Sequence, residues 1–171
     1  MQNQRGNINP RIIDGISQGI QSLLQEHAQC QEQNMGLVIC SKLINLMPDN
    51  GYVYYYRGYL LDDLGRYKEA LESFNKAIAI DATNADFYSG RGDILSTMRR
   101  LEEAVMSYDI SIALDASNAK VLHYRGLALY DLGRYKEALK DFVQAIKLEP
   151  SEEVYYVNRD LAIQTIMQIA Y

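Results

Sequence analysis

The segment DLGRYKEAL, Asp63–Leu71, decides the fold of this chain, because it returns unchanged at Asp131–Leu139. The starting positions of the two copies differ by 131 − 63 = 68, which is twice 34, and the halfway register holds the related segment TMRRLEEAV, Thr97–Val105. A fixed period of this length predicts a repeat architecture. The units are 51–84, 85–118 and 119–152, and the first and third share 17 of 34 positions.

Each unit predicts two helices joined by a tight turn. One buried helical face is predicted in the first unit by the spacing of Tyr67, Ala70, Leu71, Phe74, Ala77 and Ile78. Gly65 ends the preceding helix, because glycine takes a left-handed backbone at low cost. The linkers end in Asn84 and Asn118, whose side chains are suited to cap the next helix. The chain is therefore predicted to be all-α, a stack of antiparallel helix pairs.

Small and aromatic residues recur at the same places in every unit. The first helices carry Gly58, Gly92 and Gly126; the second helices carry Ala70, Ala104 and Ala138, followed after four residues by Phe74, Tyr108 and Phe142. This pattern resembles the tetratricopeptide repeat family. The resemblance implies a right-handed superhelical stack (a TPR α-solenoid) whose first helices line a concave groove for a peptide or helix of a partner protein. The family's Trp is replaced by Tyr54, Tyr88 and Leu122, and its closing Pro remains only as Pro150.

The flanking segments extend the stack, so that 1–171 is predicted to be a single domain. Residues 1–8 are predicted to be a disordered tail, and 9–50 a diverged first repeat with Gly36 at the small position of its second helix. Residues 153–171 are predicted to form a capping helix, with Ser151 as its N-cap.

The inward stripe of the first helices is the binding groove that the resemblance implies. It comprises Tyr52, Tyr55, Tyr59, Asp62, Asp86, Ser89, Asp93, Ser96, Lys120, His123, Leu127 and Tyr130, and the diverged repeat adds Gln18, Gln21 and Gln25. Tyrosines anchor interfaces, and the carboxylates favour a ligand segment with an Arg or Lys near its centre. The alternative is that these aromatic residues belong to the core.

Some family members hold the C-terminal carboxylate of chaperones with a clamp of Lys, Asn and Arg. The corresponding positions read Tyr55, Tyr59, Gly90, Lys120 and Tyr124 in one register, and Gln21, Gln25, Tyr56, Asp86 and Gly90 in the other. A single lysine does not form the clamp, so a chaperone-tail adaptor role is not expected.

Four arginines, Arg57, Arg91, Arg125 and Arg159, also recur at the repeat period. One interpretation is a half-buried guanidinium bonded to acidic groups or helix carbonyls within the stack. The other is a row that binds anions.

Two functions follow from these patterns. The first is an adaptor or assembly factor that binds a partner protein in the groove. The second is a self-associating scaffold, a homodimer formed through the apolar last helix with Ile163, Ile166 and Ile169.

Composition and motifs argue against other classes of function. The net charge of -5, with 17 basic residues among 22 acidic ones, opposes nucleic-acid binding. The absence of a long apolar run predicts no membrane association and a cytoplasmic protein. His27, Cys30 and Cys40 lack the paired spacing of zinc ligands, so neither a metal nor a cofactor is expected. No nucleophile–base pair or phosphate-binding glycine loop is present, so no enzymatic activity is expected.

Overall fold

The computed structural model describes residues 33–170, which form eight helices joined by short turns. These are α1 Gln33–Leu46, α2 Gly51–Asp63, α3 Tyr67–Ile80, α4 Ala85–Thr97, α5 Leu101–Leu114, α6 Ala119–Asp131, α7 Tyr135–Leu148 and α8 Glu153–Ile169. The all-α prediction is thus confirmed. The predicted tail 1–8, the start of the diverged repeat, Gln18, Gln21, Gln25, His27 and Cys30 lie outside the described residues.

The helices pack as successive pairs. α2 packs on α3, α4 on α5 and α6 on α7, and each pair contacts the next through its neighbouring helices. The first helices also contact one another, α2 with α4, α4 with α6 and α6 with α8. Second helices within the described part make no contacts of comparable extent. Because the first helices lie closer together, the stack bends toward them, and their face is the concave one.

Asparagine caps start the first helices of the three regular units. The side chains of Asn50, Asn84 and Asn118 accept hydrogen bonds from backbone N–H groups of the first turn at 3.0, 3.0 and 3.2 Å. The N-cap of α8 is Glu152, which makes no side-chain cap bond, so the prediction that Ser151 caps this helix is wrong. Glu152 occupies the register of the asparagines, and Ser151 lies one residue too early.

A left-handed residue ends the first helix of each of the three regular units. Gly65 and Gly133 have φ of 69° and 76°, as the sequence predicted for Gly65. The same position in the middle unit is Arg99, with φ of 59°. Its guanidinium lies 2.6 Å from Asp131 in an exposed ion pair. A side chain at positive φ costs stability, since only glycine takes this conformation without steric penalty.

The tightest packing in the stack is between a glycine and an aromatic ring. A Cβ atom added to Gly58, Gly92 or Gly126 would lie 2.7, 2.5 or 2.6 Å from the ring of Phe74, Tyr108 or Phe142, respectively. Phe74 is also in contact distance of Gly90 on the next first helix. Each ring is therefore packed directly on helix backbone, and a larger residue at these glycines would force the helices apart.

We expect Arg99→Gly to be more stable than Arg99→Ala by about 1 kcal/mol, because both variants lose the ion pair and only glycine relieves the positive φ. Urea unfolding of the two variants measures the difference. Gly133→Ala, at the same position of the third unit, is the control and should lose a similar amount relative to the unmodified protein. Equal stability of the two Arg99 variants would show that the backbone at this turn is not strained.

Candidate functional site

Tyrosines of α2 form an aromatic cluster on the concave face. Tyr55 lies at its centre, with ring centroids 4.9 Å from Tyr59, 5.5 Å from Phe87 and 5.9 Å from Phe74. Tyr52 packs edge-on against Phe87 and accepts a hydrogen bond from the side chain of Asn84. All three tyrosines are half-buried, and burial raises the pKa of Tyr55 to about 12. These tyrosines are therefore partly core residues that keep part of their surface open to a ligand.

Asp93, which lies on α4 of the concave face, is hydrogen-bonded to side chains of α2 and α5. The hydroxyl of Tyr108 on α5 donates to its Oδ1 at 2.8 Å, and that of Tyr59 on α2 donates to Oδ2 at 3.4 Å. Burial raises the pKa of Asp93 to about 6, although both hydrogen bonds oppose the shift. Both carboxylate oxygens thus already accept internal hydrogen bonds, and Asp93 is poorly placed to pair with a ligand.

Asp62 and Asp86 supply the accessible negative charge. Asp86 is exposed, and its charge, like that of Asp93, acts on the hydroxyls of Tyr55 and Tyr59. Asp62 is half-buried, and its pKa is raised by burial and by the neighbouring Asp63. The structure therefore brings the predicted tyrosines and carboxylates together.

The remaining predicted residues of the middle of the groove are Ser89, Ser96 and Lys120. Ser89 and Ser96 lie half-buried on α4. Lys120 is exposed, its Nζ lies 5.9 Å from the ring centroid of Tyr124, and its charge lowers the pKa of Asp93. Lysine thus borders an otherwise acidic surface.

The predicted groove residues of α6 pack against α8. His123 is buried, with its Nε2 2.7 Å from Asn158 Nδ2 and its ring against Tyr155. Burial lowers the pKa of His123. The hydroxyl of Tyr130 is hydrogen-bonded to Thr165 at 2.7 Å, and Leu127 packs on the core. At this end of the stack the inward residues of α6 therefore contact α8.

The four recurring arginines form an arginine ladder. Arg57, Arg91 and Arg125 lie on the other side of the first helices and contact the second helices, whereas Arg159 on α8 pairs with the adjacent Asp160. Arg57 donates to Ser73 at 2.5 Å and Arg91 donates to Ser107 at 3.0 Å. Arg125 forms a forked pair with Asp141 at 2.7 and 2.6 Å and also donates to Asp109. These contacts favour the structural interpretation for most of the ladder. The buried partners at 73, 107 and 141 follow their arginines at one constant spacing, a signal in the sequence that the prediction missed.

Comparison with known proteins agrees with this architecture. The family model "TPR repeat" matches residues 59–98, and the model "Tetratricopeptide repeat" matches residues 119–152. The chain is a tetratricopeptide repeat (TPR) protein. No curated protein sequence matches it.

Solved TPR structures share the fold. The second TPR of Spaghetti (RPAP3), bound to the HSP90 peptide SRMEEVD, is 31% identical, with 58% of this chain and 93% of that chain covered and a TM-score of 0.57. The Arabidopsis OM64 TPR domain is 25% identical, with coverage of 68% and 96% and a TM-score of 0.66. MamA is 21% identical over 82% of both chains, with a TM-score of 0.76. This TPR protein therefore shares its helix stack with domains of very different sequence.

Residues 33–170 of this TPR protein contain no helix with both the length and the hydrophobicity that crossing a membrane requires. Nor do His, Cys, Asp and Glu side chains of that stretch form a group of three suited to a metal ion. Cys40 is buried, and burial raises its pKa to about 11.

We expect the stability of Asp93→Asn relative to the unmodified protein to be more favourable at pH 7 than at pH 4. The folded-state pKa of about 6 lies above the ordinary value of 3.8, so the native carboxyl binds its proton more tightly than the unfolded one. Stability of the unmodified protein therefore falls as pH rises from about 4 to about 6, by about 1–3 kcal/mol from this group. Asp93→Asn has no carboxyl at this position, so its stability does not fall with pH for this reason.

The measurement is the free energy of unfolding in urea, for both proteins, across that pH range. Tyr59, Tyr108, Asp62 and Lys120 face Asp93 and are present in both, so the difference between the proteins isolates Asp93. A difference that stays constant between pH 4 and pH 7 would contradict the assignment. Titration of the Asp93 carboxyl by NMR provides the direct control.

Proposed function

We propose that this TPR protein binds a basic segment of a partner protein along its concave face and so acts as an adaptor or assembly factor. The TPR fold is a protein-interaction fold, and the second TPR of Spaghetti was solved with a bound peptide. In general the fold serves as a non-enzymatic scaffold. We propose the same here, for a cytoplasmic protein that works without a cofactor and binds neither nucleic acid nor membranes.

The observation that carries this proposal is the combination of the tyrosine cluster with Asp62 and Asp86 on one face. The rings of Tyr52, Tyr55 and Tyr59 are held by edge-on contacts, so little side-chain entropy remains to be lost on binding. An Arg or Lys side chain can stack on an aromatic ring while its charge approaches the carboxylates. The tyrosine rings and the two carboxylates thus both favour a basic side chain of the ligand.

An acidic ligand fits this face poorly. The peptide in the Spaghetti structure, SRMEEVD, carries three acidic residues near its C-terminus. The concave face of this protein presents Asp62 and Asp86 beside the exposed Lys120. Like charges would repel such a peptide, and the lysine alone does not offset Asp62 and Asp86. The proposed ligand therefore differs in charge from the peptide of that relative.

We expect the peptide SRMKKVK, in which lysines replace the three acidic residues, to bind more tightly than SRMEEVD. Asp86→Asn should weaken binding of the basic peptide about two- to fivefold, the range for one exposed ion pair at low salt. Fluorescence anisotropy of labelled peptides measures both effects.

The matched control is Glu72→Gln, which removes the same charge from an exposed position of the second helix α3. It should leave affinity unchanged. Tighter binding of SRMEEVD, or equal losses in the two variants, would refute an acidic recognition face.

A second candidate, self-association through α8, is favoured by a particular set of exposed residues. Val154, Val157 and Leu161 occupy, three periods later, the register of Tyr52, Tyr55 and Tyr59, which in α2 contact α4. Val157 is 60% exposed. Of the predicted residues, Ile163 and Ile166 are half-buried and Ile169 is exposed. A homodimer through this helix would therefore bury Val154, Val157 and Leu161 in addition to Ile169.

If this second function holds, Leu161→Gln will turn a concentration-dependent dimer into a monomer, because a polar amide would be buried in the contact. Sedimentation velocity over a hundredfold concentration range is the measurement. Leu114→Gln, an equally exposed leucine at the end of α5, is the control. A protein that stays monomeric at every concentration would exclude the scaffold.

A further inference from the structure

Arg125 shows how this fold pairs an arginine with carboxylates on its second-helix side. Asp141 of the same unit accepts from Nε and Nη2, and Asp109 of the preceding unit accepts from Nη1. Asp141 is buried and Asp109 is exposed. The guanidinium is thus neutralised from both sides by residues of the chain itself, and these partners raise its pKa.

The same place one unit earlier has neutral residues instead of the two aspartates. Ser107 replaces Asp141 and Asn75 replaces Asp109, each one repeat period before its counterpart. The one hydrogen bond that Arg91 makes within residues 33–170 runs from Nε to Ser107 Oγ, at 3.0 Å. Every fully buried side-chain nitrogen or oxygen in that part of the chain has a partner, so the free terminal nitrogens of Arg91 are solvent-accessible. They remain available as donors.

The charge of Arg91 is poorly compensated. Its guanidinium is half-buried and lies 5.2 Å from the ring centroid of Tyr88. Burial lowers its pKa, but a guanidinium remains charged at neutral pH. The nearby carboxylate of Glu103 is already engaged in a forked pair with Arg100 at 2.6 Å. A carboxylate that reached Arg91 would form a charge-assisted, bidentate hydrogen bond.

A cavity of about 270 Å³ leads to this guanidinium. Its walls combine the polar side chains of Asn75, Arg91, Arg100, Glu103 and Ser107 with the apolar side chains of Leu71, Leu95 and Met106. Met106 is 65% exposed, and the third unit has Lys140 in its place. Three apolar side chains beside the guanidinium suit a side chain carried by a protein better than a free inorganic ion, which gains nothing from apolar contact.

We propose that the pocket at Arg91 binds an acidic side chain of a partner protein, whose carboxylate accepts from the terminal guanidinium nitrogens as Asp141 and Asp109 do at Arg125. An apolar residue next to that acidic side chain would contact Met106 and Leu71. This site lies on the second-helix side, away from the tyrosines and carboxylates of the concave face. It is therefore independent of the basic segment proposed as ligand there.

The test uses the full chain and follows the arginine Nε–H signals by NMR. The probes are N-acetyl-glutamyl-leucine amide, its glutaminyl analogue and inorganic phosphate, each added at constant ionic strength. We expect the glutamyl probe to shift the Arg91 signal saturably, at least threefold more tightly than the other two. The Arg125 signal, whose donors are occupied, is the internal reference and should move little.

In two variants the chain itself supplies a carboxylate next to Arg91. Ser107→Asp reproduces the partner found in the third unit, and it should raise the melting temperature and abolish the response of Arg91. Asn75→Asp changes an exposed position, so it remains informative if the buried substitution does not fold. It should weaken the response at least threefold.

Three results would overturn the proposal. One is an Arg91 signal that does not respond to the glutamyl probe. Another is equal or tighter binding of phosphate, which would assign the pocket to a free oxoanion. The third is an undiminished response in both variants, which would place the bound carboxylate elsewhere.

Discussion

The contact between a glycine of each first helix and an aromatic ring of its partner helix sets the geometry of the whole stack. Where Gly58 meets Phe74, no room remains for even one methyl group. The helix spacing fixed there also fixes the directions of the neighbouring residues, because successive side chains on a helix are about 100° apart. Arg57 thus contacts the second helix of its unit, and Tyr59 reaches Asp93 on the next first helix. The consecutive residues Arg57, Gly58 and Tyr59 thus lie on the second-helix side, in the core and on the concave face, respectively.

The helix pairs could be predicted from the sequence because their determinants are local and recur in every unit. Gly65 and the capping Asn84 each act within a few residues of their own position. The one cap predicted wrongly, Ser151, lies where the register continues but the residue type changes to Glu152. Local signals therefore fail when a unit departs from the repeat, and the terminal helix is where this happens.

The candidate site was predictable only in part, because burial depends on what the next unit places opposite. Spacing put Asp93 and His123 on the inward stripe, and in the structure each contacts a neighbouring first helix. Their partners, Tyr59 and Asn158, lie 34 and 35 residues away, and nothing in the helical pattern of α4 or α6 indicates them. Whether a residue of the inward stripe is free to contact a ligand or is engaged inside the protein therefore depends on a side chain of another helix.

Differences between equivalent positions are more informative about function than the identities that define the repeat. In the three regular units the recurring arginine connects a first helix to its second helix, yet its partners change from serine to a pair of aspartates. Two carboxylates around Arg125 satisfy a half-buried cation within the chain. Around Arg91 one hydroxyl accepts a hydrogen bond and an aromatic ring lies nearby, and the terminal nitrogens have no hydrogen-bond partner within residues 33–170. The same scaffold thus supports a closed ionic contact in the third unit and an open one in the second. A repeat protein can therefore acquire a binding site by losing an internal partner, with no change in its fold.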